Sequence, residues 1–386
     1  MHVRSRAKQQ SRYVFLFNSR PVPYCKTYKY LGCLIHENLD FKVTVQSLSD
    51  SASRALSSIT TKMIKNGGFP LNVFLTLYKA CVCSISDYGG EVFGFCEFES
   101  TKRLHIRAAR SFLGVCKSTP HAGIISELNE LLPYLRTQLK MVRHYHKMLS
   151  CSENIVAKKI FQWDKKLNCE NVLVSWYSEV SAVFSDNGLY DVFESGNIFN
   201  LNFVIKKLSD SMLASQQVKL SMECSALPKL RTFMKFKDFE NTAAYLKKPL
   251  SFIQRKTIAK TRLGCLAIRV ETGRYARPPL PAALRICQIC ENPNDEIEDE
   301  FHFLFRCEKF KSERESWIDK LNLEKHISNY EEGELLGLAL NDSKFVKITA
   351  QYIIYIFDVR SRIVNNYSEV IDRYHISPVE ECPACN

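Results

Sequence analysis

Four potential metal ligands constrain this chain more than any other feature: Cys287-Gln288-Ile289-Cys290, eleven residues, His302, four residues, Cys307. Zn²⁺ takes four tetrahedral ligands from thiolate and imidazole. A C-x2-C pair lets two sulfurs of one tight turn reach the same ion. The His-x4-Cys pair, most simply on a short helix, returns the other two. Between them Glu291, Asp295, Glu296, Glu298, Asp299 and Glu300 read as an acidic loop, and Phe301, Phe303, Leu304 and Phe305 can form a small core around the histidine. All four positions are filled by protein, so the expected role of Zn²⁺ is structural, with no open site for water. The alternative is chance clustering in a chain with 15 cysteines.

The chain has 386 residues, 46% hydrophobic and 24% charged, which excludes a disordered, collagen-like or low-complexity protein. At about 100–200 residues per domain, two or three domains are expected. Lys plus Arg number 53 against 41 Asp plus Glu, a net charge of +12. Residues 1–120 hold 17 basic and 7 acidic side chains, so most of the excess lies there. A field that lopsided favours a polyanionic partner over a small acidic substrate, with plain solubility as the alternative. No stretch reaches the roughly 18–20 uninterrupted apolar residues of a membrane span. Val73–Ile85 is broken by Lys79, and Phe345–Phe357 by Lys347 and Gln351. The polar start Met1-His2-Val3-Arg4 has no apolar signal core. A soluble intracellular protein with mostly reduced cysteines is expected.

Periodicity predicts a mainly α protein with a small β element. Tyr13–Phe17 and Tyr28–Ile35 are β-rich runs joined by turn residues, a hairpin or small sheet edge. From about residue 42 the pattern turns helical. Val45, Leu48, Ala52, Leu56, Ile59 and Met63 make one apolar face that stops at Asn66-Gly67-Gly68, and Pro70 restarts a helix that closes at Tyr88-Gly89-Gly90. The next two predicted helices each carry a basic stripe beside an apolar one. Arg103, Arg107 and Arg110 flank Leu104, Ala108 and Phe112, and Arg136, Lys140, Arg143 and Lys147 flank Leu135, Leu139, Val142, His146 and Leu149. Two such stripes could track a phosphate backbone; the bland reading is a solvated helix face. Residues 151–250 read as a helical connector without a site. A basic segment follows with Arg255, Lys256, Lys260, Arg262, Arg269, Arg274 and Arg277, and then Pro278-Pro279-Leu280-Pro281. A closing helix is predicted from about Ser343 to Val364.

Other constellations are weaker. Cys382-Pro383-Ala384-Cys385 is a second C-x2-C, read as tail. His144 and His146 point to different helix faces, and Cys81 and Cys83 read as core. There is no G-x-x-x-x-G-K, G-x-S-x-G or H-E-x-x-H motif and no adjacent pair of aspartates, so no catalytic residue is assigned.

Three local patterns, in order, resemble the C-terminal half of a reverse transcriptase from a LINE-type (non-LTR) retrotransposon. Tyr28-Lys29-Tyr30-Leu31-Gly32 is similar to the motif that closes the palm in that family, near the primer grip. Leu77-Tyr78-Lys79-Ala80, Asp87-Tyr88-Gly89 and Arg107-Ala108-Ala109-Arg110-Ser111-Phe112-Leu113-Gly114 are similar to its helical thumb. Leu266–Tyr275 with the Cys/His cluster resembles its basic segment and C-terminal zinc knuckle. The family's polymerase aspartates precede the Y-K-Y-L-G element, and this chain contains neither them nor the nuclease region. Phosphoryl transfer needs carboxylates holding two Mg²⁺ ions, so the resemblance implies a polymerase remnant without its active site.

The resulting expectation is a primer-grip-like β element at 1–40 with Tyr30, Leu31 and Gly32; a helical thumb-like domain at 41–150; a helical connector at 151–250; the basic segment, CCHC zinc knuckle and closing helix at 251–365; and a tail at 366–386. Zinc at Cys287, Cys290, His302 and Cys307 would order an otherwise coreless segment around 265–310. Arg103, Arg107, Arg110, Arg136, Lys140 and Arg143, with Arg255, Lys256, Arg262, Arg269, Arg274 and Arg277, would contact RNA or DNA through phosphates, which position without specifying sequence. Partners would be RNA and/or DNA and other retroelement proteins, in the nucleus and/or a cytoplasmic ribonucleoprotein, and no membrane. The alternatives are a zinc-stabilised structural or protein-interaction module, a truncated element copy, and an active polymerase completed by carboxylates of another chain.

Overall fold

A computed structural model describes residues 1–169, 175–290, 296–323 and 326–373. The protein is mainly helical with two small two-stranded sheets. Its helices of seven or more residues are α1 (Phe41–Lys65), α2 (Leu71–Leu77), α3 (Glu99–Leu113), α4 (His121–Leu128), α5 (Pro133–Ser150) and α6 (Val156–Cys169). They continue with α7 (Trp176–Asp186), α8 (Leu201–Ser225), α9 (Phe252–Arg262), α10 (Lys311–Leu321), α11 (Glu332–Leu340) and α12 (Val346–Arg373). Helix α1 forms where apolar residues recur at three and four: Val45, Leu48, Ala52, Leu56, Ile59 and Met63 are all buried. It ends just before Asn66-Gly67-Gly68, where the sequence stop was expected.

The strands differ from the expected arrangement. The two β-rich runs do not pair with each other; the first pairs with the turn residues that follow it, and the second folds back on itself. Strand β1 (Leu16–Phe17) pairs with β2 (Arg20–Pro21), and β3 (Thr27–Tyr30) with β4 (Cys33–His36), Tyr30 opposite Cys33. The reason for the second hairpin is the pair Leu31-Gly32, at φ 47° and 90°. A type I′ two-residue hairpin turn has left-handed backbone at both central positions, which glycine adopts freely and leucine only at a cost.

The chain packs into two compact units that are discontinuous in sequence. The first gathers Met1–Ile59, Leu75–Ala108 and Leu131–Gln216; the second gathers Thr60–Phe74, Ala109–Glu130 and the chain from Gln217. Within the first unit, residues beyond 150 complete the core of α5: Leu135, Leu139 and Val142 share one buried cluster with Val180 and Phe184 of α7 and Leu208 and Met212 of α8. Tyr145 sits in the same cluster, its ring 5.1 Å from that of Phe193. The short helix Gly90–Phe93 lies close on α5, and a Cβ at Gly94 would stand 2.6 Å from the carbonyl oxygen of Thr137.

In the second unit α12 buries Val346, Ala350, Ile353 and Ile356, and Trp317 of α10 stacks on Tyr352 at 4.4 Å. Tyr355, also on α12, is 55% exposed. An ion pair lies at the centre of this unit: Arg262 Nη2 and Nε donate to Glu127 Oε1 at 2.8 and 2.9 Å, and neither side chain has any exposure.

Candidate metal centre

An antiparallel bridge between Ile286 and Ile297 closes a small hairpin, in which the Cys287 N–H donates to the Glu296 carbonyl at 2.9 Å. This presents the Cys287–Cys290 turn. The other two ligands come from a π-helical turn, His302–Arg306, capped by Asp299, whose carboxylate accepts from the His302 N–H at 2.8 Å. The Cys307 N–H donates to the His302 carbonyl five residues back, at 2.8 Å. An α-turn would leave residues five apart on different sides; widening the turn brings His302 and Cys307 together.

The ligand atoms of Cys287, Cys290, His302 and Cys307 all lie within 4.8 Å of one another and could hold a metal ion. Cys287 Sγ is 4.0 Å from Cys307 Sγ, and Cys290 Sγ is 3.5 Å from His302 Nε2. His302 and Cys307 are buried, while Cys287 and Cys290 are half-buried. The Cys287 thiol is pushed up to about 12, first by its hydrogen bond with Cys307 and then by burial. Burial works against protonation of His302, but hydrogen bonds to Cys287 and Glu296 outweigh it and raise its pKa. A metal that takes these ligands as thiolates must therefore expel protons. Glu291–Asp295 of the acidic loop, and Cys382 and Cys385, lie outside the described residues.

The segment around 265–310 is not coreless, in contrast to the expectation. Phe303 and Leu304 are fully buried, and Phe310 is nearly so. Arg314 Nη1 donates to the Cys307 carbonyl at 2.6 Å, and the Tyr352 hydroxyl to that of Leu304 at 3.1 Å. Glu298 receives Arg360 Nη2 and the Arg269 N–H, each at 2.6 Å. The sequence marks Phe301, Phe303, Leu304 and Phe305 as a small local core; what it does not show is that the partners of this core come from helices downstream.

The twelve basic candidates divide sharply. Arg262 is a core residue, with the guanidinium 4.8 and 4.9 Å from the rings of Phe236 and Tyr245. Arg255 is 3% exposed; it donates to the carbonyls of Phe112 and Phe69 at 2.8 and 2.9 Å, and burial lowers its pKa to about 10. Neither presents its charge to solvent, which corrects their assignment as phosphate contacts. Arg136 forks onto the buried carboxylate of Asp87 at 3.0 and 3.2 Å, and Lys140 donates to the Asp87 carbonyl at 2.5 Å. Arg110, Lys256, Arg269 and Arg274 are half-buried, Arg274 lying 3.4 Å from Glu271. Arg103, Arg107, Arg143 and Arg277 are exposed; Arg103 pairs with Glu99, and Arg107 donates to Ser57 at 3.0 Å.

Two of the sequence patterns meet in the first unit. Tyr30 and Leu31 are exposed at the hairpin tip, and the Tyr88 hydroxyl of Asp87-Tyr88-Gly89 donates to the Leu31 carbonyl at 3.0 Å. Sequence reasoning missed Glu127 altogether and named Asp87 and Glu296 without the pairings that organise these sites. Each pairs with a partner distant along the chain or across a bridge, a relation with no local signature. No protein-family model, curated protein or solved structure matches the chain. No helix among the described residues is long and apolar enough to cross a membrane.

Proposed function

We propose that this chain is a nucleic-acid-binding protein built around a structural Zn²⁺ and derived from the end of a LINE-type retrotransposon reverse transcriptase. The observation that carries the zinc reading is the spacing of the donor atoms. With Zn–S near 2.3 Å and Zn–N near 2.0–2.1 Å, a tetrahedron has S···S edges of about 3.8 Å and S···N edges of about 3.5 Å. Two of the six separations, 4.0 and 3.5 Å, lie near those edges, and all six lie within 4.8 Å, so binding would draw the four donors slightly inward. Cys287, Cys290, His302 and Cys307 would hold the ion, which supplies cross-linking and not chemistry.

The nucleic-acid reading rests on the net charge of +12 and on basic side chains that are exposed or half-buried. Arg103, Arg107 and Arg143 in the first unit, and Arg274 and Arg277 in the second, are its phosphate contacts; Arg255, Arg262 and Arg136 are left out of it. Binding of labelled single-stranded RNA by the zinc-loaded protein tests this across a salt series. Log K should fall against log salt by about 0.7 per phosphate contact. Replacing Arg103 and Arg107 together by Glu should weaken binding and flatten the slope by about 1.4 on the same rule. A flat wild-type slope would sink the reading. It would favour a second one, a zinc-stabilised structural or protein-interaction module, to which the internal pairing of Arg136, Arg255 and Arg262 already lends weight.

A further inference from the structure

We propose that Glu296 is the positioning residue of the metal centre, holding His302 in the one tautomer that can coordinate the ion together with the three sulfurs. Glu296 Oε2 lies 2.8 Å from His302 Nδ1, while Nε2 of the same ring lies 3.5 Å from Cys290 Sγ. A neutral imidazole carries one N–H. A carboxylate beside Nδ1 keeps the proton there and leaves the Nε2 lone pair for the metal, which also raises the basicity of the ligand.

The neighbouring acids are committed elsewhere. Glu298 is bound by Arg360 and the Arg269 N–H, and Asp299 accepts from the His302 backbone. Among the described residues, Glu296 is the carboxylate that reaches the ring. Its own place is set by the Ile286–Ile297 bridge, through which its carbonyl accepts from the Cys287 N–H. One residue thus fixes the backbone of one ligand and the ring of another, tying the hairpin half of the centre to the π-turn half. The side chain keeps about a third of its surface exposed, 31%, so its loss leaves no buried cavity.

This inference rests on the metal reading above. The test is a Co²⁺ titration of the full chain, followed through the absorption bands of tetrahedral cobalt with three sulfurs and one nitrogen. Glu296→Ala should weaken Co²⁺ binding 10- to 100-fold. Glu296→Gln, which keeps an acceptor but no charge, should fall between Ala and wild type. Both variants should keep the wild-type band shape and the melting temperature of the metal-free protein, and nitrogen NMR should show the Nδ1–H tautomer of His302 giving way in Glu296→Ala. Unchanged Co²⁺ affinity in Glu296→Ala would overturn the assignment. So would a loss of affinity matched by a lower metal-free melting temperature, which marks a merely structural role. Failure of the wild-type chain to bind Co²⁺ would overturn the metal reading itself, an outcome the variants cannot mimic.

Discussion

Buried His105 ties the stability of the first unit to pH. Its Nδ1 lies 3.0 Å from the Tyr78 hydroxyl, and burial, aided by the nearby Arg136, lowers its pKa from 6.5 to about 3. The folded protein therefore refuses a proton that the unfolded chain accepts. Stability from this group is complete above pH 6.5 and drains away as the pH falls towards 3, at about 1.4 kcal/mol per pH unit. Replacing His105 by Gln removes the titration. The wild-type advantage over that variant, measured by urea unfolding, should shrink steadily between pH 6 and 4; a constant difference would contradict the assignment. The same low-dielectric logic governs Arg262. Removing one member of a buried pair strands the other charge, a cost of about 3–5 kcal/mol, so Arg262→Met should lower stability with Glu127 left unpaired. Thermal unfolding at neutral pH reads this loss, and an unchanged melting point would show that Glu127 finds another partner.

Backbone contact sets the tightest tolerance between elements. Gly94 follows the short helix Gly90–Phe93, and its Cα faces the Thr137 carbonyl of α5 with no room for a methyl group, the Cβ position being 2.6 Å from that oxygen. A carbonyl cannot rotate aside as a flexible side chain can. The Gly90 carbonyl of the short helix stands equally close, at 2.5 Å, so Gly94→Ala must shift backbone on both sides, with an expected cost of about 1–3 kcal/mol, as for other overpacked sites. A chemical-denaturation midpoint equal to wild type would show that the contact gives way freely. The hairpin tip obeys a different rule. Gly32 has its nearest side-chain atom at 3.8 Å, so its requirement is the positive φ and not space.

At the scale of the whole molecule, a packed core holds the segment that carries the Cys/His cluster of the second unit. Phe303, Leu304 and Phe310 are packed, and Arg314, Tyr352 and Arg360 grip the ligand-bearing segment from α10 and α12. A zinc finger without such support unfolds when the ion is removed. Here chelation should lower the melting temperature and increase amide exchange around Cys287–Cys307, while circular dichroism retains most of the helix signal. Added Zn²⁺ should restore the melting temperature in a concentration-dependent way, because a ligand that binds only the folded state stabilises by mass action. Complete loss of helix on chelation would mean that the ion, and not the core, organises the unit.

The helices and the metal ligands were legible in the sequence because both rest on local spacing. The six apolar positions of α1, the stripe of α3, and Leu135, Leu139 and Val142 of α5 are buried as their three-and-four periodicity requires, while His146 and Leu149 at the end of the α5 stripe are half-buried; the Cys/His spacing singled out four residues that do converge. Which charges face water was not legible. The arginine stripes look alike in sequence, yet Arg103 is exposed while Arg136 meets Asp87, Arg255 meets two carbonyls and Arg262 meets Glu127. Each of those partners lies 49 or more residues away. Local periodicity places a side chain on a helix face, but only the packing of distant segments decides what that face meets, and with it whether a charge is a binding group or part of the core.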